Sequence, residues 1–135
     1  MIGVRPIIDE ELINRNIDNV KQYGSSISCV PQRETTIISR NHTNVEEITD
    51  RSDTYIARAP QSFYLKEILD AENNAVENKD CDIIDSCSVM RKYGKYKNPT
   101  ITTCASDNIK ITTPDDYYIA KALLDIRNDK DVLGV

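Results

Sequence analysis

Residues 107–124 read DNIKITTPDDYYIAKALL, a short strand running into a helix with Lys110 held at the junction. The helix start is the clearest local signal in the chain. Thr113 is placed to cap it, Pro114 occupies the first helical position, where its missing N–H costs nothing, and Asp116 completes a capping-box-like pair. Tyr118, Ile119, Ala122, Leu123 and Ile126 form the expected apolar face. A strand that feeds a helix is the repeating unit of α/β folds, so the rest of the chain is read for more of them.

Upstream, IIDEELINRNIDNVKQYGSS predicts a helix with Asp9 as N-cap, Glu10 and Glu11 in its first turn, and Gly24 beyond its end. Ile13, Ile17 and Val20 share one face. SISCV then reads as a buried strand ending at Pro31. In ETTIISRNHTNVEEITDRSDTYIARA, short apolar and β-branched runs separated by RNHTN and DRSD predict a hairpin and a returning strand. This β-arm spans about residues 33–58, and its exposed edges want a partner. SFYLKEILDAENN predicts a helix with Phe63, Ile68 and Leu69 among its buried residues, and AVENKDCD a polar loop. IDSCSVMRKYG is a short helix stopped at Gly94, and PTITTC a strand. The fold expected is a single α/β domain over residues 1–135, with a parallel or mixed sheet and the arm as an antiparallel excursion.

Composition fits an ordered globular chain, since 39% apolar residues are too many for a disordered one. A net charge of −5 with no Lys/Arg cluster argues against nucleic acid, because binding a phosphate backbone needs a basic stripe. No apolar run approaches the roughly 18 residues of a membrane span. MIGVRPIIDEEL lacks signal-peptide organisation, so a cytoplasmic location is expected. Cys29, Cys81, Cys87 and Cys104 form no C-x-x-C pair and His42 stands alone, which favours structural thiols over a zinc site. Gly3, Gly24, Gly94 and Gly134 are too far apart for a phosphate-cradling loop, and no Ser/His/Asp or Cys/His arrangement is present.

What remains is charge at strand ends, where α/β sheets bind ligands. By residue type alone Lys110 reads as a solvated lysine or as a phosphate contact. Asp115 and Asp116 already occupy the positive end of the helix, so a phosphate would sit beside it rather than on it.

The order VRP, VPQRETT, ITDRSDTYIARAPQSF, IDSCSVMRKYG and DNIKITTPDDYYIAKALL resembles the cytidylyltransferases that join CTP to methylerythritol 4-phosphate or ribitol 5-phosphate. APQSF looks like the family's T-P-Q-x-F, and NIKITTPDD like its N-[IL]-K-[IV]-T-x-P-[ED]-D. The resemblance covers most of the chain and implies a Rossmann-like nucleotidyltransferase sheet. It implies a catalytic role for Lys110, neutralising phosphate charge as the acceptor attacks the α-phosphate of CTP and pyrophosphate leaves. It also implies substrate contacts at Arg5, Thr35 and Arg51, the last two from an arm of the neighbouring subunit in a homodimer. Each has a plainer reading: Arg5 at the surface, Thr35 as a β-former, Arg51 in a turn with Asp50 or Asp53. Asp85 matches a family aspartate and reads equally as a helix N-cap. Asp107 is a weak candidate ligand for the Mg2+ the family implies.

Two departures shape the expectation. The family's G-x-G-x-R loop, which with a lysine holds the CTP triphosphate, has no counterpart here, and its metal-binding aspartate of D-x-x-R-P falls at Ile2, which offers no oxygen ligand. The chain therefore reads as the C-terminal, partial domain of such an enzyme, supplying acceptor binding and the dimer arm and inactive alone. The alternative is a non-catalytic oligomerisation or interaction module that uses the arm's edges.

Overall fold

The structure, a computed structural model, describes residues 4–83, 85–95 and 97–134, apart from the side chains of residues 131 and 133. Position 2 lies outside these residues. Helix α1 spans Glu10–Tyr23. Its cap is Asp9, whose carboxylate accepts from the Leu12 N–H at 2.8 Å. Gly24 ends it at φ 86°, a left-handed conformation that costs glycine little, and donates 2.8 Å to the Val20 carbonyl.

Strand β1, Ser25–Pro31, follows at once and is buried along all but its last residue. It is buried because it is central. Strand β4, Tyr55–Phe63, pairs with it antiparallel, and β5, Ile101–Thr103, pairs with it parallel, giving the order β4-β1-β5. The mixed α/β sheet is the one expected from the sequence. Between them β2, Ile37–Ile38, and β3, Glu47–Ile48, form a separate antiparallel ribbon, followed by a 3-10 turn at Arg51–Asp53. A hydrogen bond of 2.9 Å from Gln32 N to Thr54 O closes the base of this arm. Tyr55–Arg58 lie beyond that base, in β4.

The β1/β4 register is interrupted. Ile27 faces Gln61 and Cys29 faces Ala57, so β4 passes Arg58, Ala59 and Pro60 opposite the single residue Ser28. This bulge contains the cis Ala59–Pro60 peptide. Extra residues on one strand turn its side chains away from the regular alternation.

Helix α2 runs Leu65–Glu77 and α3 runs Ser86–Tyr93. Ala71 of α2 meets Val89 and Met90 of α3, with Phe63, Ile68, Ile83 and Tyr93 packed around them. Gly94 stops α3 for a steric reason, since a Cβ there would collide with the Met90 carbonyl oxygen. Helix α4, Pro114–Leu133, carries the expected full capping box between Thr113 and Asp116.

Six details differ from the sequence reading. Residues 107–112 form no strand; Lys110 stands in an extended loop. Phe63 ends β4 rather than opening a helix, and Ala75–Glu77 belong to α2 rather than to the following loop. Leu69 is exposed while Ile68 packs inward. On α1 the buried face is Leu12, Asn16 and Val20, and Ile13 and Ile17 are each 43% exposed. Asn16 faces inward because the sheet presents hydroxyls: its amide donates 3.0 Å to Ser28 Oγ of β1, and Asn19 donates 2.6 Å to Thr102 Oγ1 of β5. On α4 the buried residue is Ala120, with Leu123, Leu124 and Arg127 half-buried beside it, while Tyr118, Ile119 and Ile126 face outward. A small residue at the contact lets the helix approach closely, and Arg127 fixes that face by pairing with Asp9 at 3.3 Å.

Candidate functional site

The loop after β5 is organised by one side chain. Cys104 N still donates to Cys29 O at 2.8 Å, the chain turns through Ala105–Asn108, and Asn108 is then only 2% exposed. Its amide donates 2.7 Å to the Ala59 carbonyl in the β4 bulge, and its Oδ1 accepts from Arg5 Nη1 at 3.3 Å. Its backbone carbonyl accepts twice, from Arg5 Nη1 at 2.8 Å and from Arg58 Nη1 at 3.3 Å. Three residues on, Ile111 N donates 2.8 Å to Val4 O. Residues 4–5 and 108–111 are therefore tied side by side, with exposed Lys110 between the two ties.

Two guanidinium groups thus share one carbonyl oxygen. Burial, and secondarily the positive charge of Arg58, lower the pKa of Arg5, while Cys104 works weakly the other way. Among the described residues no ion pair joins either arginine to a carboxylate. Arg58 lines a cleft of about 360 Å³ together with Arg33, Glu34, Ile56, Cys104 and Ser106. The Cys104 thiol is pushed up by burial, which outweighs the nearby arginines, so it stays neutral at neutral pH. A guanidinium that lines an open cleft and converges with a second on one carbonyl oxygen is chemically suited to hold an anion, since each offers a planar pair of donors.

The structure brings Arg5 and the Lys110 segment to one place. Thr35 and Arg51 lie elsewhere, on the arm. Thr35 is exposed just before β2, and Arg51, in the 3-10 turn, donates 3.2 Å to the carbonyl of Arg33. Asp50 caps that turn by accepting from Ser52 N at 2.9 Å. Asp85 is the N-cap of α3, accepting from Ser88 N at 2.8 Å. Burial alone would raise its pKa, but the Ser88 and Gln61 hydrogen bonds outweigh burial and hold it low.

Asp107 lines a separate cavity of about 160 Å³ with Asp9, Glu11 and Arg15. Asp9 is committed to the α1 cap and to Arg127, and Arg15 brings a positive charge. Among the described residues no three His, Cys, Asp or Glu side chains are grouped to hold a metal. These residues do not fit a Mg2+ site by themselves. The sequence reading missed Asn108 and Arg58. Asn108 stands inside the quoted NIKITTPDD motif, and Arg58 is an arginine in an otherwise β-forming run directly before Ala-Pro, two signals that a buried polar group and a bulge could have supplied.

The family model described as IspD, 2-C-methyl-D-erythritol 4-phosphate cytidylyltransferase, matches residues 2–126. The chain belongs to this family. It is 44% identical over 133 residues to a ribitol-5-phosphate cytidylyltransferase of Streptococcus agalactiae serotype V, covering 98% of this chain and 55% of that protein. It is 33% identical over 122 residues to a 2-C-methyl-D-erythritol 4-phosphate cytidylyltransferase of Syntrophus aciditrophicus, covering 90% of this chain and 51% of that protein. Among solved structures, the 4-diphosphocytidyl-2C-methyl-D-erythritol synthase of Anaerococcus prevotii superposes with a TM-score of 0.82 at 24% identity, over 91% of this chain and 54% of that one. That likeness gives the nucleotidyltransferase fold. The chain spans about half the length of the curated cytidylyltransferases it matches.

Proposed function

We propose that this chain carries the acceptor-binding, dimer-arm portion, C-terminal in the family's order, of a cytidylyltransferase that joins CTP to a polyol phosphate, with ribitol 5-phosphate as the acceptor favoured over methylerythritol 4-phosphate. The observation that carries the reading is the tie between Arg5 and the Asn108–Ile111 loop, which sets a half-buried guanidinium beside the Lys110 segment in a chain of this family. The 44% identity to a ribitol-5-phosphate enzyme supports the choice of acceptor.

In the reaction an oxygen of the acceptor phosphate forms a bond to the α-phosphorus of CTP. The bond from that phosphorus to the bridging oxygen breaks, and pyrophosphate leaves with the electron pair. No proton must be taken from the attacking phosphate when it is a dianion, so catalysis reduces to holding two anions together and spreading their charge. Arg5 holds phosphate oxygens, and Lys110, solvated and free to swing, adds a point charge. Mg2+, where bound, would add charge neutralisation, but the residues around Asp107 do not form a site for it among the described residues. Thr35 and Arg51, displayed on the arm, reach the acceptor of a second copy. That homodimer is supported by the exposed Ile37, Val45 and Ile48 on the ribbon. No helix among the described residues is long and apolar enough to cross a membrane, and a cytoplasmic site is proposed with the enzyme reading.

The test is pyrophosphate release from CTP and Mg2+ with ribitol 5-phosphate or methylerythritol 4-phosphate. The 135-residue chain is expected to be silent, because it has no glycine-rich triphosphate loop. A longer chain carrying such a loop is expected to turn over ribitol 5-phosphate faster. Turnover by the 135 residues alone, or none by the longer chain with either acceptor, overturns the reading. In the second case an arm-based interaction module becomes the better account.

A further inference from the structure

Arg58 has no role in the function described so far, yet its placement is costly. It sits in the β4 bulge, where the chain departs from strand alternation, and its guanidinium is turned toward Arg5 over the Asn108 carbonyl. Among the described residues its guanidinium makes one hydrogen bond, and that one, at 3.3 Å, is long. Its Nε is buried and has no hydrogen-bond partner among the described residues. A buried donor left unpaired costs folding free energy, and a second cation beside it adds to the cost. No carboxylate among the described residues forms an ion pair with either arginine. The cleft it lines is bordered by the end of β1 and the loop after β5, and Arg33 lines it too.

We infer that Arg58 is a phosphate ligand, presenting its Nε–H and a terminal N–H to two oxygens of one phosphate group while Arg5 binds the same group from the other side. A tetrahedral dianion matches what the pair lacks: it satisfies the orphaned Nε, and its two charges compensate two guanidiniums. Glu34, an exposed residue that also lines the cleft, disfavours additional negative charge nearby, which suits a single compact phosphate better than an extended polyanion. Assigning that phosphate to the acceptor or to the nucleotide rests on the cytidylyltransferase reading; the anion site itself does not.

The experiment follows the arginine Nε–H resonances of the isotopically labelled 135-residue chain by NMR during titration with inorganic phosphate, ribitol 5-phosphate and CTP. The expected result is a saturable shift of the Arg58 Nε–H with inorganic phosphate. A stronger response to ribitol 5-phosphate places the acceptor phosphate there, and a stronger response to CTP places the nucleotide's. Arg58→Gln and Arg58→Lys are both expected to weaken phosphate binding by about tenfold or more, because lysine keeps the charge but not the fork. Arg40→Gln, at an arm-tip residue paired with Glu46, should leave it unchanged. No saturable shift at Arg58 with any of the three, or Arg58→Gln binding within about twofold of wild type, overturns the inference. If the variants fail to fold, the wild-type titration decides alone. Phosphate bound at Arg58 in a protein whose longer form transfers no cytidylyl group would sink the reaction and leave the site standing.

Discussion

Asn108 and Ala59, forty-nine positions apart, are joined by a 2.7 Å hydrogen bond from the Asn108 amide to the Ala59 carbonyl. This bond locks the loop after β5 onto the β4 bulge, and through the Asn108 carbonyl it also positions Arg5 and Arg58. Asn108→Ala removes the donor to a part-buried carbonyl and leaves a void around it. The expected loss is about 2 to 4 kcal/mol in unfolding free energy, measured by urea denaturation. A loss under about 0.5 kcal/mol would mean the loop holds its place without this side chain.

Lys110 behaves in the opposite way. Its side chain is exposed in the loop and makes no hydrogen bond or ion pair among the described residues. Lys110→Ala should shift stability by no more than about 0.5 kcal/mol. In a longer chain that turns over CTP, the same change should lower kcat by about 100- to 1000-fold, as expected for a charge placed on the transition state. Stability and turnover falling together would mark Lys110 as structural instead.

The packing of α1 makes a third prediction. Asn16 is buried and bonded both to the Leu12 carbonyl, at 2.9 Å, and to Ser28 Oγ. Ile17, one residue on, is half exposed. Asn16→Ala should therefore cost about 2 kcal/mol, and Ile17→Ala less than about 1 kcal/mol in this 135-residue chain. Thermal unfolding of the two variants should rank them in that order; the reverse order would restore the apolar face read from the sequence.

Why that face was misread bears on how legible the protein was. Caps and stops were read correctly at Asp9, Gly24, Asp85, Thr113 and Asp116 because each is a local hydrogen-bonding or dihedral problem solved within four residues. The buried β1 strand and its helix neighbours were legible for the same reason. Helix faces were not, because a helix with two apolar stripes is docked by its partner: hydroxyl-bearing Ser28 and Thr102 drew Asn16 and Asn19 inward past Ile13 and Ile17. The bulge at Arg58 depends on the β1/β4 register, a long-range property that no window of sequence contains. Arg5 and Lys110 came from motif resemblance, and what places them together, the Asn108 hub, is a buried polar contact across more than a hundred residues.

The arm carries a prediction about assembly. Ile48 and Ile37 face each other across the ribbon and are 64% and 51% exposed. Apolar residues on a short two-stranded ribbon are not stable in water without a partner surface. Sedimentation of the chain should show a dimer, and Ile37→Asp with Ile48→Asp should yield a folded monomer. A wild-type monomer at concentrations of about 100 μM would remove the proposed homodimer, since that is far above a specific dimer's typical Kd.

Acid should loosen the start of α4. Asp116 accepts from Thr112 N at 2.9 Å, Thr112 Oγ1 at 2.8 Å and Thr113 N at 2.8 Å, and these bonds hold its pKa at about 2, below the ordinary 3.8. A carboxyl whose folded pKa is depressed binds protons more readily when unfolded. Its contribution is thus complete above about pH 4 and disappears as the pH falls through about 2. Asp116→Asn keeps the shape but cannot titrate. The difference in melting temperature between wild type and Asp116→Asn should be constant from neutral pH down to about 4.5 and shrink steadily below that. Other low-pKa carboxylates, such as Asp85, contribute equally to both proteins and cancel in the difference. A gap that stays constant down to about pH 2 would mean the cap holds whether or not Asp116 is charged, and that Thr113, accepting from Asp116 N at 3.3 Å, sustains the helix start unaided.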